Sequence, residues 1–146
     1  MFDLDNCVAF VTNIAAKTLS ESLNSGLIEH GVTKTQWIAM YFIDREEDLT
    51  QKELAYLMGT KEPTVTGILD RLERDNLIER KEDKSDKRRK TLNLTSEGKE
   101  KIIQLTDIAQ DFKDNCLEGI SDKDQEIFLE VLDKMVKASI EWQENK

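Results

Sequence analysis

The stretch from Thr50 to Thr95 constrains the fold most, because its hydrophobic period changes from helical to alternating within a short span. Thr50-Gln51-Lys52-Glu53 places a hydroxyl and, three residues later, a carboxylate where they satisfy orphan N–H groups at a helix start. Leu54, Ala55 and Leu57 give that helix an inward face. Gly59 breaks it. Thr60 is suited to cap a further helix, Pro63 is tolerated in the first turn, and Val65, Ile68, Leu69 and Leu72 supply a buried stripe. After Asn76, Leu77-Ile78-Glu79-Arg80 and Thr91-Leu92-Asn93-Leu94 have strand character, and the loop joining them is too polar to bury. Two short helices about a tight turn, followed by a hairpin with a charged tip, make a winged helix-turn-helix.

The flanks are helical. Leu4, Val8, Val11, Ala15, Leu19 and Leu23 recur at helical spacing, with Ile14 and Leu27 widening the stripe, which predicts one helix from about residue 4 to 29. His30-Gly31 ends it. Thr33-Lys34-Thr35-Gln36 caps a second helix carrying Trp37, Ile38, Met40, Tyr41, Phe42 and Ile43, and Asp44 to Asp48 form an acidic turn. Thr95-Ser96-Glu97-Gly98 opens a long helix with Ile102, Leu105, Ile108, Ala109 and Phe112 inward to about Leu117. Ser121-Asp122-Lys123-Asp124 opens another, with Ile127, Phe128, Val131, Leu132, Met135, Val136, Ile140 and Trp142. The expected fold class is mainly α with a small β-hairpin wing. The expected organisation is a single unit, 1–146, with 33–95 as the DNA-binding part and 1–30 and 96–146 as dimerisation helices; the stripes of Ile102 to Leu117 and Ile127 to Trp142 exceed what so small a lobe can cover.

Charge bears on the partner. The chain carries a formal net charge of -9, against the usual basic footprint of a nucleic-acid-binding domain. Its distribution matters more than its sum. Residues 60–101 hold 12 basic against 10 acidic residues, and Arg80, Lys81, Lys84, Lys87, Arg88, Arg89 and Lys90 cluster on the hairpin with only Glu82, Asp83 and Asp86 among them. Binding DNA then requires that the acid be held on the lobe facing away. In a helix-turn-helix the second helix enters the major groove by its N-terminal residues. Thr60, Lys61, Glu62, Pro63, Thr64, Thr66 and Gly67 stand there, with Arg71 further along for a backbone contact. Lys84, Asp86, Lys87, Arg88 and Arg89 suit phosphates and the minor groove. An Asp two residues before an Arg suggests a bidentate bond that aims the guanidinium of Arg88.

With these residues in order, the sequence resembles the MarR family of transcriptional regulators over nearly its whole length. The resemblance is carried by Thr33-Lys34-Thr35-Gln36-Trp37, Leu54-Ala55-Tyr56-Leu57-Met58-Gly59, Pro63-Thr64-Val65-Thr66, Leu69-Asp70-Arg71-Leu72-Glu73, Leu77-Ile78-Glu79-Arg80, Asp86-Lys87-Arg88-Arg89 and Leu92-Asn93-Leu94-Thr95-Ser96-Glu97-Gly98. It implies a homodimer with interlocked terminal helices on an imperfect palindrome of double-stranded DNA. It also implies a wing arginine matching Arg88, positioned by the match to Asp86 in the minor groove. Glu62 departs from the expected reading helix. The resemblance further implies a site for a small aromatic or phenolic effector near Trp37, Met40 and Tyr41, although aromatics at helical spacing also suit core packing.

Other readings are narrower. One branch of the resembled family senses hydroperoxides through a cysteine near the position of Cys7. The tyrosines that branch uses are replaced by residues such as Val11 and Glu21, and a small buried hydrophobe is the plain reading of Cys7. Cys116 reads as helix packing. With His30 as the only histidine and no cysteine cluster, neither a zinc site nor a Ser-His-Asp triad can be assembled, and no Gly-rich loop cradles phosphate. We therefore expect no enzyme, no metal and no cofactor. No apolar run approaches the roughly 20 residues of a membrane helix, and the acidic Met1-Phe2-Asp3-Leu4-Asp5 is unlike a signal peptide, so a cytoplasmic regulator, a repressor in the sense of effector-released DNA binding, is expected. Two alternatives stay open: a winged-helix protein-interaction module without DNA binding, and a thiol-based switch at Cys7.

Overall fold

The computed structural model describes residues 1–146. In chain order the elements are α1 (Val8–Ile28), α2 (Lys34–Arg45), α3 (Gln51–Leu57), α4 (Glu62–Arg74), β1 (Ile78–Glu82), β2 (Lys90–Leu94), α5 (Ser96–Cys116) and α6 (Asp122–Glu144). The chain divides into two compact units, Met1–Phe112 and Lys113–Lys146. The expected class, mainly helical with one small hairpin, is the observed one.

Two helices start as their sequences dictate. Thr33 accepts from the Gln36 backbone N–H while the Gln36 side chain accepts from Thr33 N, and Thr50 and Glu53 make the same reciprocal pair at α3. The Asn24 side chain of α1 adds a further acceptor for Lys34 N at 2.8 Å, tying the end of one helix to the start of the next. Helix α1 begins later than its apolar spacing predicts. Asp3 Oδ1 accepts from Asp5 N, and Cys7 N donates to Leu4 O, so residues 3–7 form local turns that compete with the helix.

Thr60 does not cap α4. Gly59, at φ +62°, donates to Tyr56 O, and Thr60 N donates to Ala55 O, which is the paired closure of a helix end about a left-handed residue. Thr60 thus belongs to the end of α3, and Lys61 takes the N-cap position of α4 without a side-chain cap bond. Glu62 at the first helical position compensates, since a carboxylate there interacts favourably with the helix dipole. The end of α4 closes in the same way, with Asn76 at φ +56° and Leu77 N bonded to Leu72 O.

The core lies in the first unit. Leu27 of α1, Met40 and Ile43 of α2, Leu54 of α3, Val65, Leu69 and Leu72 of α4, Ile78, Leu92 and Leu94 of the hairpin and Ile102 and Leu105 of α5 are buried together. The strands pair antiparallel with Ile78 opposite Leu94 and Arg80 opposite Leu92. Leu92 N also donates to Leu49 O at 2.8 Å, so the α2–α3 loop adds a rung to the sheet. At the start of α5, Thr95 Oγ1 donates to Asn76 O and accepts from Gly98 N. A Cβ at Gly98 would lie 2.0 Å from Leu77 O, so only glycine permits this approach. In the second unit Ser121 caps α6, none of whose residues is buried.

Candidate nucleic-acid interface

The reading helix is oriented by its buried stripe. Val65, Leu69 and Leu72 are locked into the core, which turns Lys61, Glu62, Pro63, Thr64, Thr66, Gly67 and Arg71 outward, all of them exposed. Thr60 sits half-buried in the turn before them. Thr66 is less free than its sequence suggests: its hydroxyl donates to Glu62 O at 3.1 Å and accepts from Gln51 Nε2 at 2.6 Å. The Gln51 amide therefore pins α3 to the first turn of α4, a role with no sequence signal beyond its place after the capping Thr50. Thr33, Thr35 and Gln36 at the start of α2 face Thr64, Gly67, Ile68 and Arg71 across a shallow hollow of about 280 Å³.

The wing projects from the same unit. Its tip is ordered by two aspartates: Asp83 Oδ1 accepts from Ser85 N and Ser85 Oγ, and Asp86 Oδ1 accepts from Arg88 N at 3.0 Å. Asp83 N donates to Arg89 O and Arg89 N to Asp86 O, closing the loop. The expected bidentate bond between Asp86 and Arg88 is not formed. Arg88 Nε reaches Asp86 Oδ1 only at 3.4 Å, and its side chain is 93% exposed. Asp86 shapes the turn through the backbone and leaves the guanidinium in solvent beside Lys84 and Lys87, both exposed.

The remaining arginines hold the wing at its base. Arg80 on β1 pairs with Asp70 at 3.0 Å and Glu73 at 3.8 Å on α4. Arg89 is turned back, donating to Asp48 O at 3.1 Å and contacting Glu53 and Asp83 at 3.4 Å. The expectation that acid stands away from this face is corrected here. Asp70, Glu73, Glu53 and Asp83 lie within it, each matched to Arg80 or Arg89. Backbone and hydroxyl bonds from Thr50, then the charge of Arg89, hold the Glu53 carboxyl below the usual carboxylate range. Bonds from the Ser85 hydroxyl and N–H, then Arg89, do the same for Asp83.

A helix-turn-helix with a cationic hairpin, in this order and with these faces, meets a family model described as the MarR family over residues 32–90. Over that span the chain is similar to the MarR family. It is 29% identical over 116 residues to an uncharacterized HTH-type transcriptional regulator, YwoH, of Bacillus subtilis (strain 168), spanning 80% of this chain and 84% of that one. Its fold matches that of MepR from S. aureus in complex with DNA at a TM-score of 0.84, with 22% identity over 93% of this chain and 99% of the other. CouR from Rhodococcus jostii RHA1, bound to p-coumaroyl-CoA, matches at 0.83 with 21% identity over 92% and 95%.

The other candidates fall apart from the interface. Met40 is a fully buried core residue, while Tyr41 is 40% exposed. Trp37 and Tyr41 have ring centroids 6.2 Å apart, and Trp37 Nε1 is buried without a hydrogen-bond partner. The three thus differ in burial, from the core at Met40 to the surface at Tyr41. Cys7 is half-buried at the N-cap of α1 and makes no cap bond. No helix is long and apolar enough to cross a membrane.

Proposed function

We propose that this MarR-family regulator binds double-stranded DNA as a homodimer on a palindromic operator, with α4 in the major groove and the wing tip at the minor groove. The observation that carries the reading is the division among the wing's arginines. Those at the base are neutralised by acids of the chain, while Arg88 at the tip stands 93% exposed beside Lys84 and Lys87. An exposed cation held by a rigid turn suits the negative potential of a narrow minor groove. MepR, seen with DNA, supports the reading.

The dimer is proposed from surface. Phe2, Leu4, Val8, Val11 and Ile14 near the start of the first unit are exposed, as are Phe128, Val131, Val136, Ile140 and Trp142 on α6. Apolar surface on this scale is covered in solution, here by a second copy. Repression ends when a small molecule favours a conformation with the reading helices at another spacing. The ligand-bound state of CouR is the support for an effector of this kind. Such a regulator acts by binding in the cytoplasm and not by catalysis.

The test is selection of duplexes from a random pool by the wild-type protein, then titration at several salt concentrations. Arg88→Ala should weaken binding to the selected duplex and flatten the log–log salt slope by about 0.9 per half-site. An unchanged affinity and slope would remove the wing from recognition, and salt-insensitive or absent selection would favour a protein-interaction module.

A further inference from the structure

Arg89 neighbours Arg88 in sequence and shares its charge, yet its surroundings differ throughout. Its side chain is 40% exposed against 93%. One guanidinium nitrogen donates to the carbonyl of Asp48, a residue held at φ +52°, and lies 3.4 Å from both oxygens of Glu53; the other lies 3.4 Å from Asp83. These acceptors come from the α2–α3 loop, the first turn of α3 and the root of the wing loop. Beside them runs the Leu92 N to Leu49 O bond, which joins β2 to the same loop.

We infer that Arg89 is a positioning residue that clamps the second strand of the wing to the front of the helix-turn-helix, fixing the angle at which Arg88 is presented to DNA. The inference rests on the proposed role of the wing. One terminal nitrogen meets Asp83 and the other meets Asp48 and Glu53, a split that a planar fork spans and a single ammonium does not, so the position calls for arginine and not merely for positive charge. Arg80 clamps β1 to α4 from the other side, so that both strands of the wing are tied to the helices at its base.

Charge-conserving and charge-removing variants separate a clamp from a phosphate contact. With the duplex selected by wild type, Arg89→Lys and Arg89→Gln should both weaken binding about tenfold, the size of coupling expected between residues in one network. Neither should change the salt slope by the 0.9 or so per half-site that a lost phosphate contact gives. Glu53→Gln removes a negative charge near DNA and would tighten binding if charge alone mattered. Gln still completes the capping box, so α3 keeps its start. The clamp instead requires weaker binding, and the double variant should be no worse than Arg89→Gln alone.

In the free protein, amide exchange at Leu92 should rise in both Arg89 variants. If Arg89→Lys binds as wild type and Arg89→Gln lowers the slope by about one per half-site, Arg89 is a phosphate contact and the inference is overturned. Unchanged exchange at Leu92 overturns it equally. Should wild type select no duplex at all, the DNA reading fails by itself, and the exchange measurement still decides the clamp.

Discussion

Helices α4 and α6 have apolar stripes of the same period, and the structure treats them oppositely. In α4, Val65 and Leu69 are 0% exposed and Leu72 is 1% exposed, whereas α6 carries Phe128, Val131, Val136, Ile140 and Trp142 at the surface. Periodicity states which face of a helix seeks burial; it does not state whether the covering surface is in the same chain. For α4 the cover is α2, α3 and the hairpin. For α6 we have proposed a second copy.

The largest expected effect lies on the buried side. Leu69→Ala leaves a cavity in a filled core and should cost about 2–5 kcal/mol in denaturant unfolding, with the loss the same at every protein concentration. On α6 the behaviour should differ in kind. Phe128→Lys combined with Val136→Lys should raise the dimer dissociation constant by at least about 100-fold, near 2.7 kcal/mol, while helix content stays unchanged. Sedimentation velocity checks this, and a double variant that still sediments as a dimer would place the interface elsewhere.

Gly98→Ala sharpens the buried side further. Its Cβ would meet the Leu77 carbonyl at 2.0 Å, and because the obstacle is backbone the start of α5 must shift, at about 1–3 kcal/mol of stability in a thermal or denaturant melt. The smallest effect is electrostatic. Glu53 and Asp83 have carboxyls lowered below their unfolded values, so their contribution is present above the ordinary carboxylate range and is lost as pH falls through the folded values. Wing order, followed by exchange of the Asp83 and Leu92 amides, should be flat from neutrality to about pH 5 and decline below about pH 4. Burial of Leu69 should show no such dependence.

What the sequence disclosed follows the range of the forces involved. The capping boxes at Thr33 and Thr50 and the stripe of α4 depend on neighbours within one or two turns, and they were legible. Thr60 has a capping side chain but serves α3, because the left-handed geometry at Gly59 draws its N–H back to Ala55, and a good capping side chain does not announce which helix its backbone serves. The start of α1 lies later than its stripe because the Asp3 side chain accepts from the Asp5 N–H in a local turn. Arg89 was grouped with the DNA-facing cations because its partners, Asp48 and Glu53, lie 41 and 36 residues away in sequence. Composition counts charges and cannot pair them, which is why the acid on this face was expected elsewhere.

Glu53 carries two obligations with one carboxylate, completing the start of α3 and receiving Arg89. The first can be met by glutamine and the second is met best by an anion, so drift at position 53 is half silent. Lineages that exchange the acid for its amide should keep their helix and relax the demand for arginine at position 89, which retains Asp48 and Asp83. Across the family the residues at 53 and 89 should therefore be inherited as a pair, and the loss of one should be followed by wandering of the other.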